Sequence, residues 1–465
     1  MSGKGTSAIF GSFVLAEADG VQSVLRDRWV VTEGGQIAAI ATNRPDGAGV
    51  VLDAPGRFVL PGLLNLHNHC FSEAVARTHT EDGAGRKHNR SIVYTVLLPL
   101  TRRGIDILSR EERLAIARLG VLQLLRGGST TVMEGFRNGI AEMFDAALEM
   151  GVRFYGAPYL FSTADARARA DGSVEYAAAS GRADDGAADL AVWDTLHATW
   201  EGRGGGRIRL AISPHATDTC GPDLFRAAMA RARMRGVPIT THLAQSAGEV
   251  ATIRARYGRT PAEYLDWLGV LGPDLVAAHG IACTTDDLHL IAQRGATLVN
   301  CPRVFARAGI TASFAHFAEH GVRTLVGTDG YNMDLLGEIN AAAMISKVAA
   351  GDATVATAPQ LIAAVTRDAA AAIHRSDLGA IRPGAAADLS VIDLSHPHLQ
   401  PLHDPCRAVV WLANRGNVDA VMVDGRLLVA GGRYLHGDEA AITAAGVAAV
   451  RRIWELPEAQ AAFNG

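Results

Sequence analysis

The stretch PGLLNLHNH places two histidines, His67 and His69, one residue apart at the close of an apolar run. On a strand, residues i and i+2 share a face, so both imidazoles can reach one metal ion. Three further residues close apolar runs in the same way. His242 ends VPITTH, His279 ends LVAAH, and Asp329 follows VRTLVGT. A single histidine of this kind is ordinarily a satisfied core residue. The recurring order of strand then histidine, strand then histidine, strand then aspartate is what makes these residues a set.

The elements that must position them alternate. From about residue 60 to 375, short apolar strands (RIRLAIS, VPITTH, LVAAH, ATLVN, VRTLV) are separated by amphipathic helical stretches (DLFRAAMARARMRG, TDDLHLIAQRG, SFAHFAEHG). Such alternation predicts parallel strands, and its length suits an α/β fold of the (β/α)8 TIM-barrel type. In that architecture, functional residues sit at the C-terminal ends of strands, where these residues fall. The two chain ends read differently. Residues 7–60 and 387–435 carry short strands punctuated by Gly, Pro and Asp, as in antiparallel sheets. We therefore expect residues 1–58 and 378–465 to build one small β-sandwich domain, the latter with a terminal helix, around a barrel of residues 59–377.

Composition narrows the chemistry. Of 44 basic residues in the 465-residue chain only three are lysines, Lys4, Lys87 and Lys347. Schiff-base chemistry, phosphate-cradling lysine loops and lysine-carbamate metal bridges have to pass through those three. The formal net charge is −4 and no basic cluster stands out, so no nucleic-acid partner is expected. No apolar run is long enough for a membrane span, and the N-terminal stretch does not read as a secretion signal. The five cysteines are scattered, without CxxC, which fits a reducing cytoplasm. Cys70, beside His69, reads as packing, and His396-Pro397-His398 as surface.

Together the stretches PGLLNLHNH, SPHATDTC, THLAQSAGE, AAHG, NCP, GTDG and GAIRPGAAADLSVID resemble the amidohydrolase superfamily. The branch is that of guanine, S-adenosylhomocysteine and triazine aminohydrolases and chlorohydrolases, and the resemblance spans nearly the whole chain. It implies one divalent metal per subunit, held by His67, His69, His242 and Asp329. Neutral imidazoles and a carboxylate suit Zn2+, with Fe2+ as the alternative. It implies that metal-bound hydroxide attacks an sp2 carbon of a nitrogen heterocycle, with Asp329 as general base and His279 steadying developing charge. Binuclear members bridge their metals with a carboxylated lysine from a middle barrel strand. No lysine here falls in such a place, which favours a mononuclear site. The resemblance also implies a homodimer or larger homo-oligomer.

One position departs from the branch, which usually carries His-x-x-Glu on strand 5. Here the run is His242-Leu243-Ala244-Gln245. Glutamine orients a substrate but cannot pass a proton at neutral pH. Glu249 is expected to open the next helix rather than replace the lost acid. The leading expectation is a deaminase of a purine-, pterin- or triazine-like cyclic amidine. The alternatives are expulsion of chloride or a thiolate, which need less protonation, and cyclic amide hydrolysis. Further substrate-contact candidates are His215, Arg303, Glu134 and Asn332, with Gln245 counted both there and among the catalytic residues. Arg307 and the segment from Cys70 to Arg77 are placed near the same mouth.

Overall fold

The computed structural model describes residues 6–47, 49–76, 97–137, 139–162, 165–168, 174–177, 186–457 and 459–460. Lys4, Arg77 and Lys87 lie outside these residues. Eight parallel barrel strands follow in chain order. Strands 1 to 3 are Leu63–Asn68, Ser129–Phe136 and Arg153–Leu160, and strand 4 comes in two pieces, Ile208–Leu210 and Ser213–Pro214. Strands 5 to 8 are Ile239–Leu243, Leu275–His279, Thr297–Asn300 and Arg323–Val326. Every residue of strands 1 to 3 is buried. That is why these segments read as near-continuous apolar runs: a parallel strand between a barrel interior and a helical layer has no wet face.

The strands form two ladders, 1 to 4 and 5 to 8, and isolated bridges close the ring. Ile212 pairs with Ile239 and Ala216 with His242 between strands 4 and 5, and Asn68 pairs with Asp329 between strands 8 and 1. Two of these closing bridges involve or flank the histidines and aspartate singled out above.

Local signals start and stop the surrounding helices. Ser109 and Glu112 form a reciprocal capping box ahead of helix Arg110–Arg126, and Thr284 and Asp287 do the same ahead of Thr285–Arg294. The latter helix ends at Gly295, whose φ of 74° suits glycine. Lys347, the one lysine among the described residues, sits on helix Leu335–Ala350 and donates to the carbonyls of Ala353 (2.7 Å) and Val355. It bridges no metal site.

The two chain ends meet in one nine-stranded sheet. Strand Arg57–Pro61 is its hinge, antiparallel to Leu389–Asp393 and parallel to Ser7–Ala18. The terminal layer therefore extends to Pro61, three residues past the expected break at 58/59. A buried ion pair ties this layer to the barrel. Arg153, at the start of strand 3, donates to Asp388 over 2.6 and 3.1 Å and to Asp424 over 3.0 Å. Among the described residues no helix is long and apolar enough to cross a membrane.

Candidate metal centre at the barrel mouth

The barrel seams set the backbone of this site. Asp329 N–H donates to the His67 carbonyl (3.0 Å), and His69 N–H donates to the Asp329 carbonyl (3.3 Å). Across the other seam, the His215 carbonyl accepts both the backbone N–H (3.0 Å) and the Nδ1–H (2.5 Å) of His242. Nδ1 of His69 lies 2.9 Å from the Gly135 carbonyl. A carbonyl can only accept, so these contacts assign the proton to Nδ1 in both rings and leave the Nε2 lone pairs available.

Those lone pairs converge. Nε2 of His242 lies 3.4 Å from Nε2 of His69, which lies 3.4 Å from an Asp329 carboxylate oxygen. Nε2 of His67 is 3.9 Å from the same oxygen, and Nε2 of His279 is 3.7 Å from the other. Two observations fit a divalent ion here. Buried Nε2 of His67 has no hydrogen-bond partner among the described residues, and a cavity of about 10 Å³ opens between His67, His69, His242, Met133 and Tyr159. The donor set of neutral imidazoles and one carboxylate suits such an ion.

Electrostatics favours the same state. Burial, and then the neighbouring imidazoles, hold His67 and His215 well below the usual histidine range. The same causes bring His242 down to about 3. Burial takes His279 down to about 4, against the pull of Asp329. All four rings are therefore neutral at pH 7. Burial alone would raise the Asp329 carboxyl, but His279, His69, His242 and the Gly330 N–H (2.6 Å) outweigh it and lower its pKa. Backbone strain concentrates in the same place: Ala244, His279, Asp329 and Asn332 take φ values of 46°, 82°, 51° and 63°. Left-handed backbone at non-glycine residues clusters at functional sites.

Not every candidate from the sequence presents itself to this centre. Glu134 is turned away. Met133 and Gly135 line the small cavity, so strand alternation points Glu134 to the opposite face. Its carboxylate accepts the N–H groups of Cys70 (3.1 Å) and Phe71 (3.5 Å), at the start of helix Cys70–Ala76, and burial pushes it up to about 8. Arg303 lies 3.9 Å from Asp334 and 3.9 Å from Glu338, with its guanidinium over Tyr331. It braces the segment after Asp329 instead of facing the imidazoles, and Arg307 packs on the same ring. His215 is buried, stacked on Phe161 at 4.8 Å, with Nδ1 3.0 Å from the Thr219 hydroxyl. Cys70 is buried against Gly120, and His396 and His398 are exposed on the terminal layer.

Glu249 opens helix Ala247–Tyr257, as its place in the sequence suggested. Its carboxyl takes the N–H of Ala244 (3.0 Å), the N–H of Gln245 (2.8 Å) and the Thr217 hydroxyl. It thus clamps the loops after strands 4 and 5 together. Burial, and then Asp218, push it up to about 8.

Three participants went unnoticed in the sequence. The Tyr159 hydroxyl lies 3.0 Å from Nδ1 of His69. Gly135 leaves room for both rings: a Cβ there would come within 2.9 Å of each. Cys301 offers its sulfur within 4.8 Å of ligand atoms of His67, His279 and Asp329. Tyr159 and Cys301 lie at or next to the ends of strands 3 and 7, so the strand-end rule could have found them.

An eight-stranded parallel barrel carrying this histidine–aspartate set at its mouth defines a metal-dependent hydrolase acting on C–N bonds. The chain belongs to the amidohydrolase family, whose model matches residues 58–428. It is similar to the 5-methylthioadenosine/S-adenosylhomocysteine deaminase of Halobacterium salinarum, 31% identical over 443 residues and covering 94% of each chain. The enzyme of the same name from Thermococcus sibiricus is 30% identical over 407 residues, 86% of this chain and 89% of that one. Among solved structures, a zinc-bound adenosine deaminase from Xanthomonas campestris superposes with a TM-score of 0.81 at 25% identity, covering 97% and 99% of the two chains.

Proposed function

We propose that this protein is a hydrolytic deaminase of an amino-substituted purine carried on a nucleoside. The carrying observation is the approach of the Nε2 atoms of His67 and His69 to one Asp329 carboxylate oxygen, at 3.9 and 3.4 Å, with Nε2 of His242 3.4 Å from that of His69. The purine reading draws on the relatives, which are named deaminases of adenine nucleosides and match this chain over most of its length. One divalent ion held by His67, His69, His242 and Asp329, zinc by the chemistry of the set, would supply a Lewis acid that lowers the pKa of water to about 7.

The chain's own groups do the rest. The Asp329 carboxylate, whose pKa is lowered and which accepts the Gly330 N–H, receives the proton of the attacking water. His279, held neutral by burial, stands 3.7 Å from that carboxylate and polarises the same region. With Gln245 unable to donate a proton, the departing amine takes its proton from Asp329. Tyr159 orients His69 and narrows the mouth beside it.

Gln245 also favours a second reading, expulsion of chloride or a thiolate, where no proton need be delivered. A matched series of 6-amino-, 6-chloro- and 6-thio-purine nucleosides, assayed for ammonia, chloride and sulfide, separates the two. Ammonia release within about tenfold of the best substrate supports deamination; turnover of the chloro or thio compounds alone overturns it.

A further inference from the structure

A second group of metal-ligating side chains lies on the outside of the barrel. His316, Glu319 and His320 occupy one face of helix Phe314–Glu319 and its C-cap, at the i, i+3, i+4 spacing that brings helical side chains together. One ligand atom from each lies within 4.8 Å of the other two. Nδ1 of His316 is 3.0 Å from the Glu319 carboxylate. Metal–ligand bonds of about 2.1 Å at a tetrahedral angle put donor atoms about 3.4 Å apart, close to this spacing. Nδ1 of His320 lies 2.7 Å from the His316 carbonyl oxygen. Its proton therefore sits on Nδ1, which is also the ring nitrogen 3.7 Å from the Glu319 carboxylate, so the Nε2 lone pair is the one free to ligate and the ring would turn to bring it to an ion. On the neighbouring helix Thr285–Arg294 the exposed His289 has its ring centroid 5.2 Å from that of His320; it lies outside the three-residue cluster and would supply a fourth donor by turning its ring toward it.

We propose that His289, His316, Glu319 and His320 form a peripheral site for a borderline divalent cation, with Zn2+ as the reference ion. Three imidazoles and one carboxylate complete a tetrahedral set for such an ion, and His316 and Glu319 are half open to solvent, which gives it an entry path. The site stands apart from the mouth. His320 lies three residues before strand 8 begins, whereas Asp329 lies three residues after it ends, so the length of the strand separates them. An ion there touches no reacting atom. It cross-links the helices that precede strands 7 and 8, and it stabilises the folded chain because the unfolded chain offers no such set.

The test is metal counting on the full chain, stripped by chelator and titrated with Zn2+ alone. Wild type is expected to bind two equivalents, and a His289→Ala/His320→Ala variant one, with its turnover at saturating zinc unchanged. A His67→Ala/His242→Ala variant is expected to keep the peripheral equivalent and to gain thermal stability as zinc is added. His289 is exposed, whereas the His320 side chain is 16% exposed and donates to the His316 carbonyl, so circular dichroism of the first variant is checked against wild type before its zinc is counted. One equivalent in wild type, or two in the His289→Ala/His320→Ala variant, overturns the proposal. Those counts are independent of whether the mouth is a deaminase.

Discussion

The protein sets histidines in two opposite surroundings. At the mouth, residues separated by up to 262 positions are brought together by strand ends and barrel seams, and every ring is buried. On the outer helices, three of the four residues lie within five consecutive positions and are brought together by one helical turn. The difference lies in what holds the rings. At the mouth, backbone carbonyls of Gly135 and His215 fix both tautomer and direction, and burial keeps the His67, His242 and His279 imidazoles neutral. On the surface, spacing along one helical turn supplies both the neighbours and the one carbonyl contact, from His316 to the His320 ring, and solvent remains close. A site for chemistry on a substrate needs the first arrangement, because its donors must be oriented before the substrate arrives. A site that only holds an ion can use the second.

The largest expected effect is at the carboxylate. Asp329→Asn keeps the shape but removes both the charge and the proton acceptor, and should lower kcat by about 10²–10⁴-fold. Steady-state kinetics at saturating zinc measures it; a loss below tenfold would detach Asp329 from proton transfer. Next comes the support behind the ligands. Gly135→Ala would press a methyl against His69 and Tyr159 and should weaken zinc binding at the mouth by about 10–100-fold, read by competition with a chromophoric chelator. If the buried set tolerates this change, carbonyl support is not what distinguishes the two clusters.

Glu249 gives an intermediate effect with a pH signature. Its neutral form is favoured in the fold up to about pH 8, against about 4.3 for an unfolded glutamate. The folded chain therefore binds the extra proton between these values. This contribution to stability is whole below about pH 4.3 and is lost as pH rises through about 8. Glu249→Gln cannot titrate, and whichever way its amide turns it faces a backbone N–H or the Thr217 hydroxyl with a second donor. We expect a loss of about 1–3 kcal/mol at pH 5 that shrinks by pH 9, measured by urea unfolding. A loss independent of pH would break the assignment. The smallest effect belongs to the surface: in metal-free buffer, Glu319→Gln should shift Tm by less than about 2 °C.

Much of this molecule was legible before its structure. Periodicity alone placed the alternating strands and helices, and the strand-end rule pointed to His67, His69, His242, His279 and Asp329, because a parallel barrel leaves only one face for chemistry. Where that reading fell short, direction was the missing quantity. Glu134 and Arg303 stand at or beside strand ends, but one points to the outer face of its strand and the other to the acidic helix after Asp329. Tyr159 sits at an equivalent end and does point inward.

By itself the sequence determined which residue types reach the barrel mouth, and its three lysines removed a bridging carbamate from consideration. It also wrote the local HFAEH spacing of the outer cluster, since a helical turn is fixed by positions alone. Only the tertiary structure decided that His215 presents its carbonyl to His242 and that Asp329 closes the ring against His67 and His69. It also decided that Glu249 locks the loops beside Gln245. Those contacts join strands far apart in the chain. They depend on how the sheet closes and which way each side chain leaves its strand, and neither quantity is carried by any local stretch of residues.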